Sequence, residues 1–203
     1  MKFTKKQKLY IFLSISYCCM LLVTNITANR TFEIYGFMLP SAVIVFPIVY
    51  IINDVMTECF GLENSKTIIL TAFVMNLIAV LFFNIAINLP TTIDFSSYNI
   101  VLGSTIIALI ASFLAYLLGS FTNAIIMDYM KKKKSKSLML RCVLSTLVGE
   151  SIDAYIFISI MFINVLPYSV VLRMIITQAL FKTVYEIIVY PITRRVIKYI
   201  NKL

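Results

Sequence analysis

Histidine is absent from the 203 residues, and only 13% of them are charged. The first absence removes imidazole zinc sites, HExxH chemistry and His-dependent triads together. The second removes the polar shell that a soluble core of this size needs. Cysteine is sparse: Cys18, Cys19, Cys59 and Cys142 show no CxxC spacing and read as reduced packing thiols. No metal site and no cofactor is therefore expected. Nor does any nucleophile and base pair, or any carboxylate cluster of the DGxxAR sort, mark an intramembrane enzyme.

What is present is apolar. Hydrophobic residues make up 61% of the chain and the mean hydropathy is +0.94, which describes an all-α integral membrane protein with one transmembrane domain over residues 1–203. Six segments come near the ~20 residues a helix needs to cross a bilayer: Tyr10 to Ala28, Phe37 to Ile52, Thr67 to Leu89, Ile100 to Met127, Ser145 to Leu166 and Ser169 to Tyr190. Basic residues precede the first, as in a signal peptide, yet no small-residue cleavage site follows it, so it reads as a retained span. The second contains Pro40 and Pro47. Proline removes a backbone donor and clashes with the preceding turn, so this span is expected to be kinked or broken and to line a cavity.

The net charge of +9 is not a nucleic-acid footprint, because the basic residues sit in short clusters between apolar segments. Fifteen of the 18 Lys and Arg fall on one side of the alternating segments, in four groups: Lys2 to Lys8, Lys66, Lys131 to Arg141, and Arg194 to Lys202. The positive-inside rule then predicts cytoplasmic termini, an even number of crossings, and a multi-pass protein of the cell membrane. The opposite connections, Asn29 to Gly36, Pro90 to Asn99 and Asn164 to Tyr168, are short and hold no domain. Gly103, Gly119 and Gly149 suit close helix packing, either within one chain or between copies in a homo-oligomer.

Against this apolar background the ionisable residues stand out. Ser145 to Phe157 reads STLVGESIDAYIF, with Glu150 and Asp153 three apart on one helical face. Gln178, Lys182 and Glu186 recur at i, i+4 and i+8 in the last span and form one stripe. At ~1.5 Å per residue, Asp153 from Arg141 and Lys182 from Arg194 both lie about 18 Å deep, while Glu150 and Glu186 lie at about 12 to 14 Å. The two stripes are level, so Asp153 is expected to pair with Lys182, and Glu150 to share a second layer with Glu186. Ionisable groups at such depths face a cavity or a partner and mark a functional site; a structural clamp would need one pair, not three carboxyls against one lysine.

A second acidic pair, Asp54 and Glu58, lies in NDVMTECFG, and Asp54, closer to the apolar run, is the better site candidate. Asn25 and Asn76 read as helix glue. Gly119 to Ala124, GSFTNA, echoes Gly149 to Ala154, GESIDA, with Gly and Asn or Asp at matching offsets in spans of opposite direction. Inverted elements facing a shared site have this form; so do glycines that merely pack.

The order FPIVYIINDVMTECFG, then STLVGESIDAYIF, then FKTVYEIIVYP resembles the queuosine precursor transporter family, the YhhQ-type group of vitamin uptake transporters. The resemblance runs from about Asn25 to Pro191. It is carried by Phe46, Pro47, Asp54 and Gly61, by Ser145, Thr146, Gly149 and Asp153, and by Lys182 and Pro191. Ser120 and Asn123 stand where that family tends to carry Gly-Gln with a following Asp, and Glu150 where an amide is common. The resemblance implies uptake of queuine or its 7-deazaguanine precursors without an ATP-hydrolysing subunit. The substrate-binding subunit of an energy-coupling-factor importer is the alternative, but its AxxxA-type docking surface is lacking in the first span.

On that reading the expected substrate-binding residues are Asp54, Asn123, Glu150, Asp153, Gln178, Lys182 and Glu186, between the second, fourth, fifth and sixth spans. A carboxylate accepts the adjacent N–H donors of a guanine-like base, amides serve its carbonyl, and Tyr155, Phe157 or Tyr185 stacks on its ring. The partners are then a deazapurine base and the lipid bilayer. Proton coupling and facilitated diffusion both fit.

Overall fold

The computed structural model describes residues 3–27, 30–34, 37–90, 96–102, 106–133, 137–162 and 166–203. Gly103, Lys2, Lys134, Lys136 and parts of the connections Asn29 to Gly36, Pro90 to Asn99 and Asn164 to Tyr168 lie outside them. Among the described residues seven α-helices make up most of the structure: α1 (Lys5–Thr27), α2 (Phe46–Phe60), α3 (Leu62–Ile87), α4 (Ser96–Leu102), α5 (Ile106–Lys132), α6 (Leu138–Phe162) and α7 (Tyr168–Ile200). Among the described residues six stretches are long and apolar enough to cross a bilayer, supplied by α1, by Ser41–Phe60, and by α3, α5, α6 and α7. Their outward faces carry large apolar side chains such as Phe12, Phe82 and Ile188, all more than half exposed, as lipid contact requires. The chain is a multi-pass protein of the cell membrane.

The second span differs most from its expected bounds of Phe37 to Ile52. Residues Phe37–Pro40 form strand β2, paired antiparallel with β1 (Thr31–Ile34). A 3-10 turn, Ser41–Ile44, then leads into α2, whose first turn contains Pro47. Proline there gives up a donor that has no partner within the helix in any case. The span therefore starts later and runs eight residues beyond Ile52 to Phe60. This carries Asn53, Asp54 and Thr57 inside the bundle. The last span is also longer than expected, because α7 continues through Pro191 to Ile200.

Helix α2 is the buried element. It packs on α1, α3, α5 and α7, and Tyr50, Val49, Val55 and Met56 are almost wholly enclosed. At its end Gly61 has φ of 88° and ψ of 163°, a conformation essentially restricted to glycine, and so reverses the chain directly into α3. Asn25 of α1 donates to Asn76 of α3 at 2.6 Å, the interhelical glue expected of them.

Helices α5 and α6 approach each other closely, and the contact is reciprocal. A Cβ added at Gly119 would lie 2.9 Å from the Gly149 carbonyl oxygen and 3.0 Å from the Asp153 Cβ. One added at Gly149 would lie 2.8 Å from the Gly119 carbonyl oxygen and 2.9 Å from the Asn123 Cβ. These two glycines thus serve packing within the chain. Gly149→Ala is expected to cost about 1–3 kcal/mol, because backbone atoms cannot move aside cheaply. Ser151→Ala, whose hydroxyl only donates to the Leu147 carbonyl on its own helix, should stay within about 0.5 kcal/mol. Thermal unfolding in detergent separates the two; equal stabilities would refute the close approach.

Candidate functional site

Helices α2, α5, α6 and α7 bury a column of polar side chains along the bundle. In order along α6 these are Cys142, Ser145, Thr146, Glu150 and Asp153; along α7, in the opposite sense, Glu186, Lys182 and Gln178; α2 adds Asp54 and Asn53, and α5 adds Asn123 and Ser120. All seven residues expected at the site are buried in it. The i, i+4 spacing in α7 and i, i+3 spacing in α6 aim their members at the same interior line.

Lys182 is its electrostatic centre. Its ammonium lies 2.5 Å from Glu150 Oε2 and 3.1 Å from Asp153 Oδ2, with the ring of Phe46 3.9 Å away on another side. Asp153 and Lys182 pair as the depth count predicts, but Glu150 joins the same ammonium at the shorter distance. Glu186, one turn of α7 from Lys182, makes no hydrogen bond with this layer among the described residues, though its charge still reaches Glu150. One lysine against two carboxylates leaves surplus acceptor capacity, and Glu150 Oε1 has no hydrogen-bond donor.

Glu186 meets Asp54 and Cys142 instead. Their ligand-type atoms lie within 4.8 Å of one another, and all three residues are buried. Among the described residues neither oxygen of Glu186 has a hydrogen-bond partner, and the polar groups closest to Asp54 are the neutral Asn123, Cys142 and Ser145. Two full negative charges at that separation repel by roughly 3–4 kcal/mol even at an effective dielectric of about 20. Glu58, one turn further along α2, is no solvated helix end: it binds Arg141 of α6 at 2.6 Å, and Lys131 of α5 donates to its backbone carbonyl. Together these two contacts tie α2, α5 and α6 at the end of the column.

Asn123 is committed to its neighbours. Its Oδ1 accepts from Asn53 Nδ2 at 2.9 Å, and its Nδ2 lies 3.4 Å from the Thr146 hydroxyl. Asn53 also donates to the Ser120 carbonyl at 3.1 Å and accepts from Ser65 at 2.9 Å, while Ser65 meets Thr57 at 2.7 Å. Ser120 continues to Tyr17, and Tyr17 to Tyr116. This network joins five helices, and the sequence reading missed Asn53, Tyr17, Tyr116, Thr57 and Ser65 as members. Asn53 was legible in principle, since it precedes Asp54 and stands four residues before Thr57. A tyrosine in an apolar run carries no such signal.

The aromatic residues need correction. Tyr155 is 62% exposed and faces away from the column, and Phe157 and Tyr185 are half-buried. Phe46 and Tyr50 stand at the site instead, their ring centroids 5.5 Å apart. The Tyr50 hydroxyl is buried without a partner, next to the point where Gly119 and Gly149 meet.

Removing the lysine should expose the logic of the cluster. Lys182→Ala leaves two buried carboxylates unpaired and is expected to destabilise the protein by about 3–5 kcal/mol. Adding Glu150→Gln to it should recover part of that loss, which unfolding in detergent would read. Strict additivity of the two changes would show that no coupling exists.

Comparison with known proteins agrees with this architecture. The chain matches the family described as "Putative vitamin uptake transporter" over residues 40–196, which covers α2 to α6, most of α7 and every residue of the column that those helices supply. No curated protein and no solved structure gives a significant match. A match over most of its length assigns the chain a transporter's role, not an enzyme's, and it belongs to the vitamin uptake transporter family.

Proposed function

We propose that residues 1–203 form one transport unit that imports queuosine precursors, queuine or related 7-deazaguanine bases, through the layer formed by Glu150, Asp153 and Lys182. The observation that carries this reading is the ammonium of Lys182 shared between two carboxylates beneath an aromatic ring. A deazaguanine base offers two adjacent N–H donors on one edge, and a carboxylate with spare acceptor sites receives them in bidentate fashion. Releasing one carboxylate from Lys182 costs the lysine little while the other still holds it. The lysine thus exchanges partners without ever standing alone in low dielectric.

The flat base also needs a hydrophobic surface. Phe46 and Tyr50 provide one on α2, and Gln178, one turn from Lys182 on α7, offers an amide to the base carbonyl. Asn123 supports the layer from α5 through Thr146 rather than from an unbonded amide. Family membership and the resemblance of the α2, α6 and α7 motifs to queuosine precursor transporters favour this substrate class.

The termini are taken as cytoplasmic, since the basic clusters flank α1, α3, α5 to α6 and α7 on one side. The 3-10 turn before Pro47 is taken as the break that lets α2 tilt during access. The Glu58 and Arg141 pair then closes the inner end.

Cells unable to make the precursor, supplied with individual bases at low concentration, should regain queuosine in tRNA when they express this chain. Asp153→Asn and Lys182→Ala, verified as inserted, should each lower uptake of labelled base at least tenfold, equivalent to about 1.4 kcal/mol. Wild-type uptake by both variants would refute the assignment of this layer. A reporter fused to either terminus should be active only in the cytoplasm.

A further inference from the structure

The expected site residues fall into two groups, and the second has no place in substrate binding as described above. Asp54 and Glu186 lie on α2 and α7, which pack directly on each other. Glu186 is one turn from Lys182, and Cys142 is eight residues from Glu150, so this group sits about 6–12 Å along the column from the Glu150 layer. It lies between that layer and the Glu58 and Arg141 pair.

The surroundings are specific. On α2, Tyr50 and Glu58 flank Asp54 by one turn each way, and Glu58 is held by Arg141. From α6 come Cys142, Ser145 and Glu150; α5 presents Asn123; α7 presents Lys182, bound to Glu150 and Asp153. Tyr17 of α1 is turned to Ser120, and α3 contributes the neutral Ser65. Among the described residues no lysine or arginine makes an ion pair with Asp54 or Glu186. Both carboxyls are fully enclosed and lie within 4.8 Å of one another and of the Cys142 thiol; the neutral Asn123, Cys142 and Ser145 are the donors close to Asp54, while among the described residues neither oxygen of Glu186 has a hydrogen-bond partner.

Ionised carboxylates only accept hydrogen bonds. One proton turns either of them into a donor, and an O–H to carboxylate bond is among the shortest and strongest in proteins. A hard metal cation is served less well, since it takes six or more oxygens and here meets two carboxylates and a thiol.

We propose that Asp54 and Glu186 form a proton-coupling site that holds one exchangeable proton between them and moves it in the direction of the substrate. The inference rests on the transport reading above. The O–H bond forms on one carboxyl when the proton arrives and breaks when it leaves, with no other bond changed. With the proton, α2 and α7 are joined by a hydrogen bond; without it, two like charges push them apart. That difference supplies a two-state element for access, adjacent to the inner closure.

The test uses the full-length protein in liposomes. Under an inward proton gradient, wild-type uptake of labelled deazaguanine base should exceed uptake without a gradient several-fold, and Glu186→Gln and Asp54→Asn should bring that ratio to about one, whatever their absolute rates. Infrared difference spectra of the protein labelled at Asp and Glu should show the C=O stretch of a protonated carboxyl that both variants lose and Asp153→Asn keeps. A ratio of one in the wild type, drive by a sodium gradient, a stoichiometric bound metal, or a carboxyl band unchanged in both variants would each overturn the proposal. If wild-type vesicles take up no base at all, the substrate reading fails, and the infrared result alone decides the proton site.

Discussion

A charge inside a bilayer must be matched, and this requirement shapes the bundle. Five of the nine acidic residues, Asp54, Glu58, Glu150, Asp153 and Glu186, lie in or at the end of one interior column, where Lys182 and Arg141 are their cationic neighbours. Isolated carboxylates at such positions would cost more than the packing of a helix returns. The helices that carry them are consequently fixed in rotation: α6 must turn Glu150 and Asp153 toward α7, and α7 must turn Lys182 back. The lipid-facing sides are left to Leu, Ile and Phe, with no further demand on register. Rotation about each helix axis is thus set from inside, by charge.

The neutral polar network does complementary work. Asn53 is saturated by Ser120, Asn123 and Ser65, so α2, α3 and α5 are held by bonds that no charge movement disturbs. Tyr17 and Tyr116 extend this to α1. The charged contacts run mainly between α6 and α7 and between α2 and its neighbours at the Glu58 end of the column. The part of the bundle built from amides and hydroxyls is a scaffold; in the part built from charges one lysine is shared between two carboxylates.

How far this was legible in the sequence follows from what periodicity encodes. Glu150 and Asp153, and Gln178, Lys182 and Glu186, announce themselves because an ionisable residue in an apolar helix is rare and its spacing fixes its face. Depth counting from the basic anchors correctly brought the α6 and α7 stripes level. It could not resolve which of two carboxylates one turn apart a flexible lysine prefers, and Lys182 takes both. The ends of the second span were misread because Phe37–Pro40 is as apolar as a helix, yet pairs as a strand. A short apolar run has no periodicity long enough to tell the two apart. That shift hid Phe46 and Tyr50, whose relation to Lys182 depends on where α2 begins.

The echo between GSFTNA and GESIDA acquires a physical meaning from the contact of its glycines. Each glycine faces the carbonyl of the other, and each faces the residue four places beyond the other, Asp153 for Gly119 and Asn123 for Gly149. Antiparallel helices that meet this way are related by a local two-fold axis through the contact. Symmetry in the backbone would put equivalent side chains on both sides, yet the sequence places a neutral amide on α5 and a carboxylate on α6. Asn123 turns to Asn53 and Thr146, within the neutral network, whereas Asp153 turns to Lys182, within the charged set. The same close approach therefore serves both roles: it anchors α6 to a fixed partner on one side and presents its carboxylates to α7 on the other. A larger residue at either glycine would separate the helices and uncouple the fixed network from the charged one, even with every charged residue in place.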